Sequence, residues 1–197
     1  MIGSIKTNRL VLRKWKKSDL ESFMQFASDE QVMLPLGLDS VHSIKEGETL
    51  FKNYRHAADS YAIMKKDNTI IGQIKLQEDA RRFRINSYSV GFALSREYWG
   101  QGYMTEALQA LVQYAFEKKK CDVVSISHFK GNYRSQNVIE KCGFRLEGVS
   151  SFAFKRCDGM ILDECFYAIL REEYLLHKAV VFNAKKQVNN RLIKTKI

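Results

Sequence analysis

The stretch from Tyr88 to Ala107, YSVGFALSREYWGQGYMTEA, constrains the fold more than any other part of the sequence. Residues 88–94 are mostly apolar or aromatic, which predicts a short strand buried on both faces. From Met104 onward the apolar residues follow helical spacing. A strand, a glycine loop and a helix together are typical of a phosphate site, because glycines let backbone N–H groups approach the oxygens and the helix N-terminus adds partial positive charge.

Two common phosphate loops do not match this stretch. A Walker loop ends in Gly-Lys-Ser/Thr, and the sequence has no such ending. The dinucleotide pattern GxGxxG requires a third glycine at position 105, where the sequence has threonine. By itself the loop is equally compatible with an ordinary strand–turn–helix unit that turns at a glycine. Its interpretation therefore depends on a second motif.

The second motif, NYRSQNVIEKCGFRLEG at residues 132–148, begins 30 residues after Gly102. That is about the separation that one helix and one strand require. Together the two motifs resemble the CoA-binding motifs of the GNAT family of acyl-CoA-dependent N-acetyltransferases, in particular its branch of ribosomal-protein N-terminal (alpha-amino) and spermidine acetyltransferases. Two ordered motifs at a fitting distance are much more specific than either alone. The resemblance extends over about residues 7–175.

The match to the family's CoA pyrophosphate loop is incomplete. The family pattern is Arg/Gln-x-x-Gly-x-Gly/Ala, and its central glycine matches at Gly102. Trp99 replaces the Arg/Gln, and Met104 replaces the last small residue. Backbone amides bind the pyrophosphate in this loop, so the resemblance implies that binding survives both substitutions.

The predicted elements are strands, then alternating strands and helices, then strands again, with a hairpin turn at Asp67-Asn68. This order predicts an α/β (α+β) mixed sheet. The resemblance implies a single GNAT-like domain, in which about four helices flank six to seven mostly antiparallel strands. We expect this domain at residues 1–175 and a basic C-terminal extension at residues 176–197. In the family a bulge splays the fourth strand from the fifth, and Gly91 fits that bulge.

The net charge of +10 and the pI near 9.4 favour an acidic ligand or partner. More than half of that charge follows Glu173, where six Lys or Arg residues occur without an acidic one. A ribosome or a nucleic acid would be an acidic partner, but the sequence has no recognised RNA-binding motif. A solvated tail explains the same charge. Nucleic acid is therefore expected only as an indirect partner.

Composition also argues against several classes of protein. The sequence has no run of eighteen apolar residues and no signal-peptide apolar block, so we expect neither a membrane span nor secretion. The four cysteines lack CxxC spacing, which indicates reduced residues of a cytoplasmic protein. The four histidines are scattered, and we expect no metal site.

The resemblance implies that acetyl-CoA is the co-substrate and that its acetyl group moves directly to a primary amine. The pantetheine arm would bond to strand amides at Phe92 and Leu94, and a backbone N–H there would polarise the thioester carbonyl. The pyrophosphate would bind the loop at residues 99–105. The residues expected to bind the co-substrate are Phe92, Leu94, Trp99, Gly100, Gln101, Gly102, Tyr103, Met104, Thr105, Asn132 and Ser135.

The proton carriers are less well defined. Many relatives have a general-acid tyrosine in the second-motif helix, where this sequence has Ile139. The resemblance therefore implies Ser135 as the catalytic proton donor to the departing thiolate, although a helix cap or a CoA hydrogen bond explains this serine equally well. Asp163 is a candidate general base, with a structural salt bridge as the alternative. A water relay or a partly neutral amine would make a base unnecessary.

The acceptor is constrained least. The branch implies a protein N-terminal α-amine, of a ribosomal or another protein. A polyamine or an aminoglycoside is disfavoured by the positive charge, and a non-catalytic ribosome- or RNA-binding relative is a further alternative. A homodimer is left open. Four apolar residues are expected either to line an acceptor pocket or to fill the core: Met33, Leu34, Leu36 and Leu38.

Overall fold

Eight strands form one sheet in the computed structural model, which describes residues 3–180. In chain order they are β1 (Ser4–Lys6), β2 (Leu10–Arg13), β3 (Asp59–Lys65), β4 (Ile70–Glu78), β5 (Ser87–Leu94), β6 (Val123–Phe129), β7 (Arg145–Lys155) and β8 (Ile161–Leu170). Their order across the sheet is β1-β2-β3-β4-β5-β6-β8-β7. Within these strands β5 and β6 are the one parallel pair, and every other pair is antiparallel.

The mixed, mostly antiparallel α/β class predicted from the sequence is confirmed, but the prediction of six to seven strands was too low. The additional strand is β1, which pairs with β2 from Ser4↔Arg13 to Lys6↔Val11. It has three residues. Such a strand is too short for alternation of apolar and polar side chains to reveal it.

Six helices flank the sheet within residues 3–180, where about four were predicted. They are α1 (Leu20–Ala27), α2 (Glu30–Met33), α3 (Ile44–His56), α4 (Tyr103–Tyr114), α5 (Tyr133–Lys141) and α6 (171–180). Helix α2 is a single turn, which sequence periodicity does not reveal. Of the basic extension predicted at 176–197, residues 181–197 lie outside the described residues, and the domain boundary at 175 stays a prediction.

Different helices cover the two faces of the sheet. Helices α4 and α5 contribute to one core, in which Leu111 and Ile74 are fully buried. Helices α1 to α3 contribute to a second core with a strongly aromatic centre, where the rings of Phe23 and Phe51 lie 5.1 Å apart. Ala93 is the residue of β5 that belongs to this second core. The face that carries α1 to α3 is therefore covered over β3 and β4, and less so beyond β5.

Strands β5 and β6 separate part-way along their length. Their pairing ends at Val90↔Ile126, whereas β6 continues to pair with β8 as far as Phe129. Strand β5 instead continues to pair with β4 as far as Leu94. A gap therefore opens between β5 and β6 on the side of their carboxyl ends.

The bulge expected at Gly91 is absent from the pairing of β4 with β5. The register between these strands is continuous, and Gly91 lies directly opposite Lys75. Glycine is favoured at this position for a different reason, because a Cβ here would lie 3.0 Å from Cε of Lys75. The missing side chain thus leaves room for the lysine to lie across β5.

Candidate active site

The glycine loop leads from β5 into the N-terminus of α4. Gly100 and Gly102 both adopt the left-handed backbone region, with φ of 74° and 77°. Helix α4 begins at Tyr103 directly after them. A Cβ at Gly100 would have no neighbour within 4 Å. The positive φ values, rather than crowding, therefore favour glycine here, and the turn exposes backbone N–H groups at a helix N-terminus.

A polar cluster from the start of the chain fixes this loop. The Arg9 backbone N–H donates to Glu106 Oε1 over 2.8 Å, and its Nε donates to Oε2 over 2.6 Å. Its Nη1 donates to the carbonyl of Gln101 over 3.0 Å, and its guanidinium lies 4.4 Å from the centre of the Tyr103 ring. Burial opposes ionisation of Glu106, but hydrogen bonds from Thr7 and Arg9 outweigh it and lower the pKa of this carboxyl.

A first cavity of about 320 Å³ lies between this loop, the end of β5 and the start of α5. Ten of the eleven co-substrate residues predicted from the sequence line it. Gln101 is the exception, because its side chain is exposed and donates to the carbonyl of Glu97 over 2.8 Å. Arg134 and Lys141 also line the cavity, and no carboxylate does among the residues described. These charges favour an anionic occupant.

The amides of Phe92 and Leu94 point into the gap between β5 and β6. The Ser95 N–H donates to the carbonyl of Ile71 in β4 over 2.9 Å, so the alternate residues Leu94 and Phe92 direct their N–H groups toward the gap. Leu94 confirms this alternation, because its carbonyl accepts a hydrogen bond from the Trp99 indole over 2.7 Å on that side. This edge of β5 is thus free to pair with an extended ligand.

Asn132 and Ser135 lie at the beginning of α5. Asn132 is the N-cap, and its Oδ1 accepts a hydrogen bond from the backbone N–H of Ser135 over 3.2 Å. Ser135 is the third residue of the helix, so the alternative that it caps the helix is wrong. Its hydroxyl has no hydrogen bond within residues 3–180, and the residue lines the first cavity.

A second cavity, of about 290 Å³, meets the first one. The residues common to both are Pro35, Leu36, Phe92, Asn132 and Ser135. Of the four apolar residues expected in an acceptor pocket or in the core, Leu36 and Leu38 line the second cavity, whereas Met33 is buried in the second core. We call this second space the acceptor groove.

The floor of the acceptor groove is polar, which the sequence analysis missed. Gln73, Lys75 and Gln77 of β4 line it, next to Ser89 of β5. Their signal was present in the sequence, since from Gln73 to Gln77 every second residue is polar while Ile74 and Leu76 between them are apolar. Two-residue alternation places the polar set on the opposite face from these apolar residues.

Two carboxylates of β8 differ in their surroundings. Asp163 binds Lys130 over 3.4 Å and the backbone N–H of Phe152 over 3.1 Å, which favours the structural alternative for this residue. Glu164 lines the acceptor groove, and its side chain has neither a hydrogen bond nor an ion pair within residues 3–180. Sequence reasoning selected the neighbouring Asp163 instead of Glu164, because the sequence alone does not show which of two adjacent carboxylates faces the groove.

His128 also lines the acceptor groove, but both of its ring nitrogens have partners. Nδ1 donates to the carbonyl of Phe129 over 2.9 Å, and Nε2 accepts from the Tyr167 hydroxyl over 3.2 Å.

A glycine loop at a helix N-terminus, beside two parallel strands that separate, is the architecture of a CoA-dependent acyltransferase. The chain belongs to the GNAT family of acetyltransferases, since the family model described as an acetyltransferase (GNAT) domain matches residues 9–145. The protein is therefore an acetyl-CoA-dependent N-acetyltransferase, as the sequence motifs predicted.

Known relatives agree with this assignment. A GNAT-family acetyltransferase from Bacillus anthracis superposes with a TM-score of 0.78 and 29% identity, over 86% of this chain and 99% of that one. The "Uncharacterized N-acetyltransferase YnaD" of Bacillus subtilis is 29% identical over 86% of this chain and 98% of its own length. The spermidine N-acetyltransferase of Vibrio cholerae, in complex with CoA and spermine, has the same fold at a TM-score of 0.73 and 20% identity, over 86% of this chain and 99% of its own.

Within residues 3–180 no three His, Cys, Asp or Glu side chains are grouped so as to hold a metal ion. No helix in that part of the chain has both the length and the apolar character needed to cross a membrane.

Proposed function

We propose that the enzyme transfers the acetyl group of acetyl-CoA directly to the α-amine of a protein N-terminus. The observation that carries this proposal is the meeting of two cavities at Phe92 and Ser135. One cavity has cations and exposed backbone N–H groups suited to CoA. The other has a polar floor suited to an acceptor. Both substrates are thus bound at once, and the reaction needs no acetylated enzyme.

The co-substrate occupies the first cavity. The backbone of the loop at residues 100–103 and the N-terminus of α4 hold the pyrophosphate. Arg134 and Lys141 add positive charge on the opposite wall. The pantetheine arm extends along the open edge of β5, where the N–H groups of Phe92 and Leu94 act as strand partners.

The chemistry is an exchange of one bond for another at the thioester carbonyl carbon. The amine nitrogen attacks this carbon, the C–S bond breaks, and an amide and a thiolate form. A backbone N–H of β5 stabilises the negative charge that develops on the carbonyl oxygen. The Ser135 hydroxyl protonates the departing thiolate and regains a proton from solvent, while the neutral acceptor amine loses one proton, so charge and atoms balance.

Glu164 is the carboxylate that receives the amine proton. It is on β8, directly opposite Phe129 of β6, and it lines the groove that also contains Ser135. Its free oxygens are available to the amine, whereas Asp163 is occupied by Lys130. A general base close to the acceptor removes the need for a substrate that arrives neutral.

The choice of a protein N-terminus is supported by the polar floor of the acceptor groove, which includes Lys75, and by one relative. The "Putative ribosomal N-acetyltransferase YdaF" of Bacillus subtilis is 31% identical over 55% of this chain and 57% of its own length. A polyamine is the second candidate, because the Vibrio cholerae enzyme of similar fold is a spermidine N-acetyltransferase. Lys75 in the groove disfavours a polycationic acceptor.

The test is an acceptor panel with purified enzyme and acetyl-CoA. Peptides with free and with blocked N-termini, spermidine and an aminoglycoside are compared by release of free CoA and by product mass. We expect a mass increase of one acetyl group on free-amine peptides and none on the blocked ones. Acetylation of spermidine alone would overturn the proposal of a protein acceptor.

A further inference from the structure

Lys75 and Gln73 are neighbours on the same face of β4, and both line the acceptor groove. They lie opposite Gly91 and Ala93 of β5, which carry little or no side chain. The Lys75 side chain is therefore open to the groove rather than covered by the next strand, whereas Gln73 lies buried in the groove floor beside it. Neither is needed for the binding of CoA, because neither lines the first cavity.

Lys75 is a cation without an anionic partner. No carboxylate of residues 3–180 lies within ion-pair distance of its Nζ, and its nearest aromatic neighbour is the Tyr54 ring at 5.6 Å. Burial lowers the pKa of its ammonium group. A half-buried, unpaired cation costs free energy unless a ligand supplies the missing negative charge.

The side-chain oxygen of Gln73 also lacks a partner, in this case a hydrogen-bond donor. The residue is 1% exposed, and its Oε1 has no hydrogen-bond donor within the described part of the chain. A buried amide oxygen without a donor costs on the order of 1–3 kcal/mol. An N–H group on the bound acceptor would satisfy it.

The groove also carries charges of opposite sign at its two ends. Lys75 is on β4 and Glu164 is on β8, three strands away in the sheet. At about 4.8 Å per strand, their backbones lie at least roughly 14 Å apart. An acceptor with its ammonium group near Glu164 and an anionic group near Lys75 would match the charges of both residues.

We propose that the enzyme acts on peptide N-termini whose first or second residue is acidic, with Lys75 pairing with that carboxylate and Gln73 accepting a backbone N–H of the peptide. This inference rests on the proposed transfer to a protein N-terminus and specifies its substrate. A peptide offers all three groups that the groove requires: an amine, an N–H donor and an acidic side chain. A free amino acid lacks the amide N–H, and a polyamine lacks the anion.

The test uses three peptides that differ only at the second residue: Ser-Glu, Ser-Gln and Ser-Lys. We expect kcat/KM with wild-type enzyme to be about tenfold higher for the Glu peptide than for the Gln peptide, and lower again for the Lys peptide. In the variant Lys75→Met the preference for Glu over Gln disappears. In Lys75→Glu the order of the Glu and Lys peptides reverses.

Lys66→Met is the matched control, because Lys66 is exposed in the β3–β4 connection and lies outside the groove. It keeps the wild-type preference. Acetyl-CoA affinity and thermal stability establish that each variant is folded. A wild-type enzyme that acetylates all three peptides equally, or a Lys75→Met variant that keeps the Glu preference, overturns the charge selection and leaves the proposed function intact. Failure to acetylate any peptide while spermidine is acetylated overturns both.

Discussion

Arg9 binds both oxygens of Glu106, one through its backbone N–H and one through its side chain, although the two residues are 97 positions apart in the chain. The same arginine reaches the Gln101 carbonyl in the glycine loop. Arg9, which directly precedes β2, thereby holds the glycine loop and the first turn of α4 together. An N–H group that is held in place loses less freedom when an anion binds to it.

Arg9→Ala is expected to weaken CoA binding. Loss of the contacts to Glu106 and Gln101 frees the loop, and we expect the Kd for CoA to rise by about five- to tenfold, equivalent to roughly 1–1.4 kcal/mol. Isothermal titration with CoA measures this directly. Arg145→Ala serves as the control, since Arg145 pairs with Glu173 away from the loop. An unchanged Kd in Arg9→Ala would show that the loop is ordered without this contact.

The sequence predicted the elements with strong local signals. The turn at Asp67-Asn68 is present, with Asn68 at a φ of 69° and the Lys65 N–H bonded to the Thr69 carbonyl over 2.8 Å. The glycine loop and the start of α4 after it, expected near Met104 and found at Tyr103, were also placed well, because glycines and apolar spacing act over a few residues. Strand β1 was missed, since its partner determines it rather than its own three residues.

The acceptor groove was beyond sequence reasoning for a different reason. Glu164 is brought to the groove by the insertion of β8 between β6 and β7, a pairing that no local pattern encodes. Lys75 was visible as one of the alternating polar residues of β4, but its exposure depends on the opposing Gly91. Such relationships depend on the register between strands that are distant in the sequence, so they become visible only once the three-dimensional structure is known.

Ser135→Ala is expected to lower kcat with little change in the affinity for acetyl-CoA. The hydroxyl is proposed to protonate the thiolate, and general acid catalysis contributes about 100-fold or more. Steady-state kinetics with a peptide acceptor, together with a separate measurement of the Kd for CoA, distinguish the two effects. Ser150→Ala on the exposed strand β7 is the control. A higher Kd with an unchanged kcat would instead assign Ser135 to CoA binding.

Glu164→Gln is expected to reduce kcat/KM by about 100-fold near neutral pH, because the amide cannot accept the amine proton. The reduction becomes smaller as the pH rises, since a larger share of the acceptor amine is then already neutral. The pH profile of kcat/KM is the measurement. The neighbouring Asp163→Asn should lower thermal stability and leave the profile unchanged, because Asp163 binds Lys130 and Phe152. Equal effects of the two substitutions on the profile would count against Glu164 as the base.

The contact of α6 with the rest of the domain is expected to weaken in acid. Glu117 follows α4 and accepts hydrogen bonds from Lys178 and Tyr174 of α6, at 2.5 and 2.8 Å. These bonds lower the pKa of Glu117 to about 2 from its usual 4.5. Because the folded-state pKa is the lower one, the stabilisation is complete above pH 4.5 and is lost as the pH falls toward 2.

Glu117→Gln should therefore destabilise the enzyme by about 1 kcal/mol at pH 7 and by less than half as much at pH 3. Thermal unfolding at the two pH values gives the difference between the variant and the wild type. Glu172→Gln provides the comparison, since Glu172 is exposed and has no ion pair within the described residues. A negligible effect of Glu117→Gln at both pH values would mean that α6 is held by the stacking of Tyr174 on Phe116, with ring centres 4.7 Å apart, and not by the carboxylate.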